Sequence, residues 1–189
     1  MGIQIGAKPS PTFEQPLELL SDCHRRVESF LRALILVTEH AKGGALDQRH
    51  REALESALRY FREAAPKHTA DEEESLFPRM RALGGTAMRE ALAKIDALEA
   101  DHVIAKGGHD IVEQLGQKWL RDNQLSADET QQLATALREL QSIYEKHIAI
   151  EDNDVFPLAA KIVPADKLAE VGREMAARRG QPVHRRIGG

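Results

Sequence analysis

HTADEEESLFP at residues 68–78 and HIAIEDNDVFP at residues 147–157 are one phrase written twice. Each opens with a histidine, places a glutamate four residues later, and closes with Phe-Pro nine and ten residues after the histidine. The correspondence continues upstream. His24 precedes His68 by 44 residues, and His102 precedes His147 by 45. The chain therefore reads as two copies of one helical hairpin. Each copy offers a lone histidine on its first helix and a His-x-x-x-Glu pair on its second.

Around these phrases the apolar residues step by three and four, the period of an amphipathic helix. Helix 1 is expected from Pro16, with a seam of Leu17, Leu20, His24, Val27, Leu31, Leu34 and Thr38, and it ends at Gly43-Gly44. Helix 2, capped by Asp47, carries Leu54, Ala57, Phe61, His68, Glu72 and Leu76, and Pro66 inside it predicts a kink. Helix 3 is capped by Thr86 and carries Ile95, Leu98, His102, Ala105, His109, Val112 and Trp119. Gly107-Gly108 in its middle imply close packing or local flexibility. Helix 4 begins at the capping box of Ser126 and Glu129 and carries Leu137, Leu140, Tyr144, His147, Glu151 and Val155. Four long helices with short connections predict an all-α fold, an up-down-up-down antiparallel four-helix bundle. A short fifth helix fits over 165–179. The expected division is an irregular arm over 1–15, the bundle over 16–160, and a short helix with a frayed tail over 161–189.

The composition agrees. With 42% hydrophobic and 30% charged residues, the 189-residue chain has the make-up of a soluble globular domain with a sizeable core. Aromatics are only 4%, which favours helices over sheets. A formal net charge of -4 gives no nucleic-acid footprint, and the basic stretch RRGQPVHRR at 178–186 is read as solvated. The single cysteine, Cys23, excludes an internal disulfide and fits a reducing compartment. No apolar run has the length of a membrane span, and the first residues lack the apolar centre of a signal peptide. These readings place the chain in the cytoplasm, without membrane or nucleic-acid partners.

A His and a Glu four apart share a helix face, about 6 Å apart along the axis. The imidazole can then hold one metal while the carboxylate reaches between two. A lone histidine on an apolar face is ordinarily a hydrogen-bonded core residue. Here the pair recurs, and His68, Glu72, His147 and Glu151 all fall on core seams, where unpaired charge is costly. The duplication favours a shared metal site over a purely structural polar core. Imidazole with carboxylate suits iron, manganese or zinc, and the absence of clustered cysteine argues against structural zinc or an iron–sulfur cluster.

With His24 in DCHRR, EADH at 99–102 and the two phrases above, residues 17–160 resemble the hemerythrin-like family, the bundles with the HHE cation-binding pattern. The resemblance implies a non-haem di-iron centre. Glu72 and Glu151 would be its bridges, and His24, His68, His102 and His147 its terminal ligands. Oxygen-carrying members place two histidines four apart on the third helix, whereas here Leu98 and Lys106 flank His102 at that spacing. That departure puts reversible oxygen carriage in doubt and leaves a coordination position open or filled by a carboxylate. Glu28, four after His24, and Glu99, three before His102, are the candidates to fill it.

The expected role is binding or sensing of a small diatomic gas (oxygen or nitric oxide) or of peroxide, with a partner protein for output. The alternatives are a redox enzyme acting on peroxide or nitric oxide or repairing iron–sulfur clusters, and an iron storage protein. Zinc or manganese could occupy the site in the isolated protein. His109 is read as a core or supporting group and Tyr144 as packing, with a hydrogen bond to a bound oxygen species as its other reading. Glu73 and Glu74 face solvent or support ligands, Cys23 is a small buried side chain, and His40, His50 and His184 lie on the surface.

Overall fold

The computed structural model describes residues 11–84 and 88–181, and every regular element among them is helical. Helix α1 (Pro16–Ala41) opens with its proline in the first turn, where no hydrogen bond is lost. Lys42 ends it in the left-handed conformation and returns its N–H to Thr38. Helix α2 (Gln48–Glu63) is capped by the Asp47 side chain, which accepts from the His50 N–H at 2.7 Å. Helix α5 (Met88–Asp122) and helix α6 (Ala127–Ile150) complete the bundle, and α6 starts at the Ser126/Glu129 capping box with both reciprocal bonds formed. The caps expected at Asp47 and Ser126 are therefore the real boundaries. The expected Thr86 cap and His184 lie outside the described residues.

The second and fourth long helices are not continuous α-helices. After Glu63 the chain breaks at Ala64, and α3 (Ala65–Ala70) begins with Pro66 in its first turn. The expected kink is thus a break between two helices, placed so that the proline lacks only an N–H that would have no partner anyway. A π-helical segment (Asp71–Leu76) then leads into α4 (Phe77–Leu83). The same succession follows α6: a π segment (Glu151–Val155) and α7 (Phe156–Ile162). In each, the phenylalanine N–H reaches back five residues to the carbonyl of the first copy's Glu72 or the second copy's Glu151. The wider turn begins at the glutamate, and the following proline restarts an ordinary α-helix.

Helix α8 (Ala165–Arg178) is the expected fifth helix. It lies against α1 and the first π segment. Close packing is enforced at Gly108, where an added Cβ would stand 3.0 Å from the Leu140 side chain. No helix among the described residues is long and apolar enough to cross a membrane.

The core is divided. One cluster holds Val27, Leu31, Phe61, Ala105, Trp119 and Leu140, and a second holds Leu20, Leu76, Phe77, Leu98, Val155 and Phe156. Along α1 the order is Leu20, His24, Val27, and along α5 it is Leu98, His102, Ala105. A polar layer therefore separates two apolar ones, and the four histidine seams cross it.

Candidate metal centre

Six side chains meet in that layer. His24 comes from α1, His68 from α3, His102 from α5 and His147 from α6, and Glu72 and Glu151 each stand first or second in a π segment. Glu72 and Glu151 are 0% exposed. The ring pairs His24–His68 and His102–His147 have centroids 4.9 and 4.7 Å apart. Each pair joins both glutamates in a group whose ligand atoms lie within 4.8 Å of one another. The cluster is thus two adjoining sets of donors that share two carboxylates.

The oxygens divide between the pairs. Glu72 Oε1 faces His68 Nε2 at 3.2 Å and His24 Nε2 at 3.9 Å, while its Oε2 faces His102 Nε2 at 3.5 Å. Glu151 Oε2 stands 3.0 Å from His24 Nε2 and 3.2 Å from His147 Nε2. All four imidazoles therefore turn Nε2 inward. Behind them, His24 Nδ1 donates to Asp152 at 3.0 Å and His102 Nδ1 to Glu73 at 2.8 Å. A carboxylate only accepts, so these bonds place the proton on Nδ1 and leave the Nε2 lone pair facing the cluster. His147 Nδ1 is 3.5 Å from Asp101, a charge contact longer than a hydrogen bond, and His68 Nδ1 has no partner. The Phe156 ring of the second Phe-Pro stacks on His24 with centroids 5.5 Å apart.

The cluster's own charges shift its titrating groups. Burial disfavours the His24 imidazolium, but its bond to Asp152 and the neighbouring Glu151 and Glu72 carboxylates outweigh this and push its pKa up to about 12. Burial, then the charge of His24, lowers His68 to about 3. Burial and the Glu151 charge raise Glu72. Glu151 is held low, against its own burial, by the His147 and His24 rings beside it. Two adjacent buried carboxylates cannot both ionise without compensating positive charge.

Both oxygens of Glu72, both of Glu151 and His24 Nε2 are buried without a hydrogen-bond partner of good geometry. Orphaned polar atoms at this depth are costly, and a divalent cation satisfies them together. The donor set of nitrogen and carboxylate oxygen fits iron, manganese or zinc.

Of the eight residues expected as ligand candidates, six converge here and two do not. Glu28 is exposed on the outer face of α1. Glu99 pairs with Arg81 at 2.8 Å. Both lie outside the two donor groups. Two residues of the basic stretch depart from expectation, while its residues 182–186 lie outside the described residues. Arg178 and Arg179 reach Asp71 at 2.9 and 2.6 Å and neutralise a fully buried carboxylate next to Glu72.

Asp152 and Asp101 were not foreseen as supports for the histidines. A signal for Asp152 exists: in both phrases an acid directly follows the bridging glutamate, as Glu73 and Asp152. Asp101 has no counterpart in the first copy, where Cys23 stands before His24.

Two spaces adjoin the cluster. A void of about 20 Å³ is walled by the four histidines, Thr69 and Tyr144. A cavity of about 500 Å³ lies beyond it, and Ala65, Thr69, His102 and Tyr144 are common walls of both.

An uncharacterized protein of Haemophilus influenzae (strain ATCC 51907 / DSM 11121 / KW20 / Rd) is 30% identical over 174 residues, which span 89% of this chain and 92% of that protein. The hemerythrin HHE cation binding domain matches residues 15–159, the whole bundle from α1 into α7. The shared-carboxylate cluster, its four inward-turned imidazoles and this match together place the chain in the hemerythrin HHE cation-binding domain family.

Proposed function

We propose that this chain holds a non-haem di-iron centre and uses it to bind or sense a small ligand: oxygen, nitric oxide or peroxide. His24 and His68 would hold one iron, His102 and His147 the other, and Glu72 and Glu151 would be common to both. When bound, the pair would supply two redox-active cations with coordination positions left over by the protein donors.

The observation that carries the reading is the void of about 20 Å³ against all four histidines. It has room for a ligand of water size and little more. The protein does three things around it. Asp152 and Glu73 keep the Nδ1 protons of His24 and His102 in place, so these rings stay oriented. The two apolar clusters above and below the layer exclude water from it. Tyr144 and Thr69 bring the only hydroxyls of the void's wall, within reach of a polar ligand. A cytoplasmic location and a separate partner for output belong to the same reading.

The test is iron per chain, with absorption spectra of the reduced protein before and after nitric oxide, oxygen or peroxide. Two irons and a reversible spectral change are expected for the wild type. Glu72→Ala and Glu151→Ala should each lower bound metal to one ion or none, because each removes a carboxylate shared by both groups. Two irons retained in both variants would falsify the bridging assignment. Steady consumption of peroxide would instead favour turnover, and iron release on reduction would favour storage.

A further inference from the structure

The larger cavity is out of proportion to a diatomic ligand. Its volume of about 500 Å³ lies in the range of small-organic-molecule sites, roughly 300–1,000 Å³, whereas on the same measure a water-sized ligand needs about 10–15 Å³. Its walls are mainly carbon, from Leu58, Phe61, Ala65, Pro66, Val103 and Val112. Val103 stands at 74% exposure on α5, an apolar side chain left in solvent beside the opening.

Each charged side chain around the cavity already has a partner. Glu73 accepts from His102 at 2.8 Å, Lys106 donates to Asp110 at 2.7 Å, and Arg62 donates to Glu113 at 2.8 Å. A charged occupant would have to displace one of these partners. Hydrogen bonding is not exhausted, however. His109 and Tyr144 line the cavity and bond to each other, His109 Nε2 to the Tyr144 hydroxyl, at 2.8 Å. His109 Nδ1 is buried and has no partner. Burial lowers His109 to about 4, so the ring is neutral and carries one N–H. If that hydrogen is on Nδ1, it is an unused donor. If it is on Nε2 and given to Tyr144, the tyrosine O–H is the unused donor. His109 Nδ1 is sealed from the cavity, so the donor that can serve an occupant is the tyrosine O–H, and no acceptor for it stands among the described residues when His109 Nε2 donates.

We propose that the cavity binds a small organic molecule with an apolar body and a neutral oxygen head, R–OH or R–OOH. The body fills the carbon-walled space, and the head accepts from the Tyr144 hydroxyl, whose oxygen takes the His109 Nε2–H. Tyr144 also borders the void, so a head held there lies at the entrance to the histidine cluster. This last placement rests on the proposed function; occupancy of the cavity does not.

The probe is cumyl alcohol (2-phenyl-2-propanol), titrated calorimetrically and by amide NMR into the metal-free and the iron-loaded full chain. Saturable one-to-one binding is expected in both, with the largest shifts around Ala65, Thr69, Val103 and His109. Cumene, the same body without the hydroxyl, should bind about tenfold more weakly, the loss of one hydrogen bond in a buried site. The double variant His109→Phe, Tyr144→Phe should bring the alcohol down to the affinity of cumene. Val103→Asp, at an exposed position that does not threaten folding, should weaken both compounds. Absence of saturation, shifts confined to another face, or equal affinity for alcohol and hydrocarbon would overturn the proposal. Iron content is read on the same samples. Alcohol binding without iron overturns the metal reading alone, and iron without alcohol binding overturns the cavity assignment alone.

Discussion

The two halves of the bundle repeat the same cluster with different supports. Glu73 and Asp152 occupy equivalent positions, one residue after each glutamate, and each braces the lone histidine of the other half: Glu73 holds His102 and Asp152 holds His24. Other equivalent positions diverge. Asp71 before Glu72 is a fully buried carboxylate clamped by Arg178 and Arg179, whereas Ile150 before Glu151 packs into the apolar cluster. Asp101 stands 3.5 Å behind His147 Nδ1, and Cys23 occupies the equivalent position in the first half; neither His147 Nδ1 nor His68 Nδ1 has a hydrogen-bond partner. Leu31 and Ala65 stand where the second half has His109 and Tyr144. The inward geometry of a site can thus be duplicated while its outer anchors are charged in one half and apolar in the other. The metal-facing positions answer to one demand, and the anchors answer to whatever packs behind them.

The largest expected effect comes from the charged anchor. Removing both arginines in Arg178→Ala, Arg179→Ala leaves Asp71 buried and uncompensated, which costs about 3 kcal/mol or more. A melting curve will show it as a clear drop. Adding Asp71→Ile writes the second half's solution into the first and should recover most of the loss. Unchanged melting in the double arginine variant would mean that the two anchors do not differ as described.

The cross-bracing gives the next effect. Asp152→Asn should weaken the site of His24 and His68, and Glu73→Gln that of His102 and His147, by about 10–100-fold in metal affinity. Competition with a chelator should turn biphasic in each variant, with one weakened site and one kept. If both sites weaken equally in both variants, the braces do not act across the halves.

The smallest effect is the pH response of His109, which only the second half carries. Its folded-state pKa, lowered to about 4 by burial, lies below the ordinary 6.5. Between these values the unfolded chain binds a proton that the folded chain refuses. Stability attributable to this residue is therefore complete above about pH 6.5 and is lost as pH falls towards 4, at no more than about 1.4 kcal/mol per pH unit. Metal-free His109→Gln should lose less stability than the wild type between pH 7 and 5. Parallel losses would show that His109 is protonated in the fold.

Much of this was legible in the chain itself. The helix seams, the caps at Asp47 and Ser126 and the convergence of four histidines with Glu72 and Glu151 follow from period and spacing, because residues three and four apart share a helix face whatever surrounds them. Glu28 shows the limit of that rule. It obeys the spacing of the true pairs, yet α1 has no π segment to turn it inward, and it faces solvent. Asp152 was half-visible in the repeated acid after each glutamate, but which ring it would brace was not.

By itself, then, the sequence determined an all-helical bundle with two matching sets of nitrogen and oxygen donors, since those features depend on local periodicity and on duplication. Only the tertiary structure decided that Glu72 offers one oxygen to each histidine pair, that the arginines of α8 neutralise Asp71, and that His109 and Tyr144 border a cavity beside the cluster. Each of these joins residues from different helices, and distances between helices are set by how the side chains between them pack, which no spacing along one helix encodes.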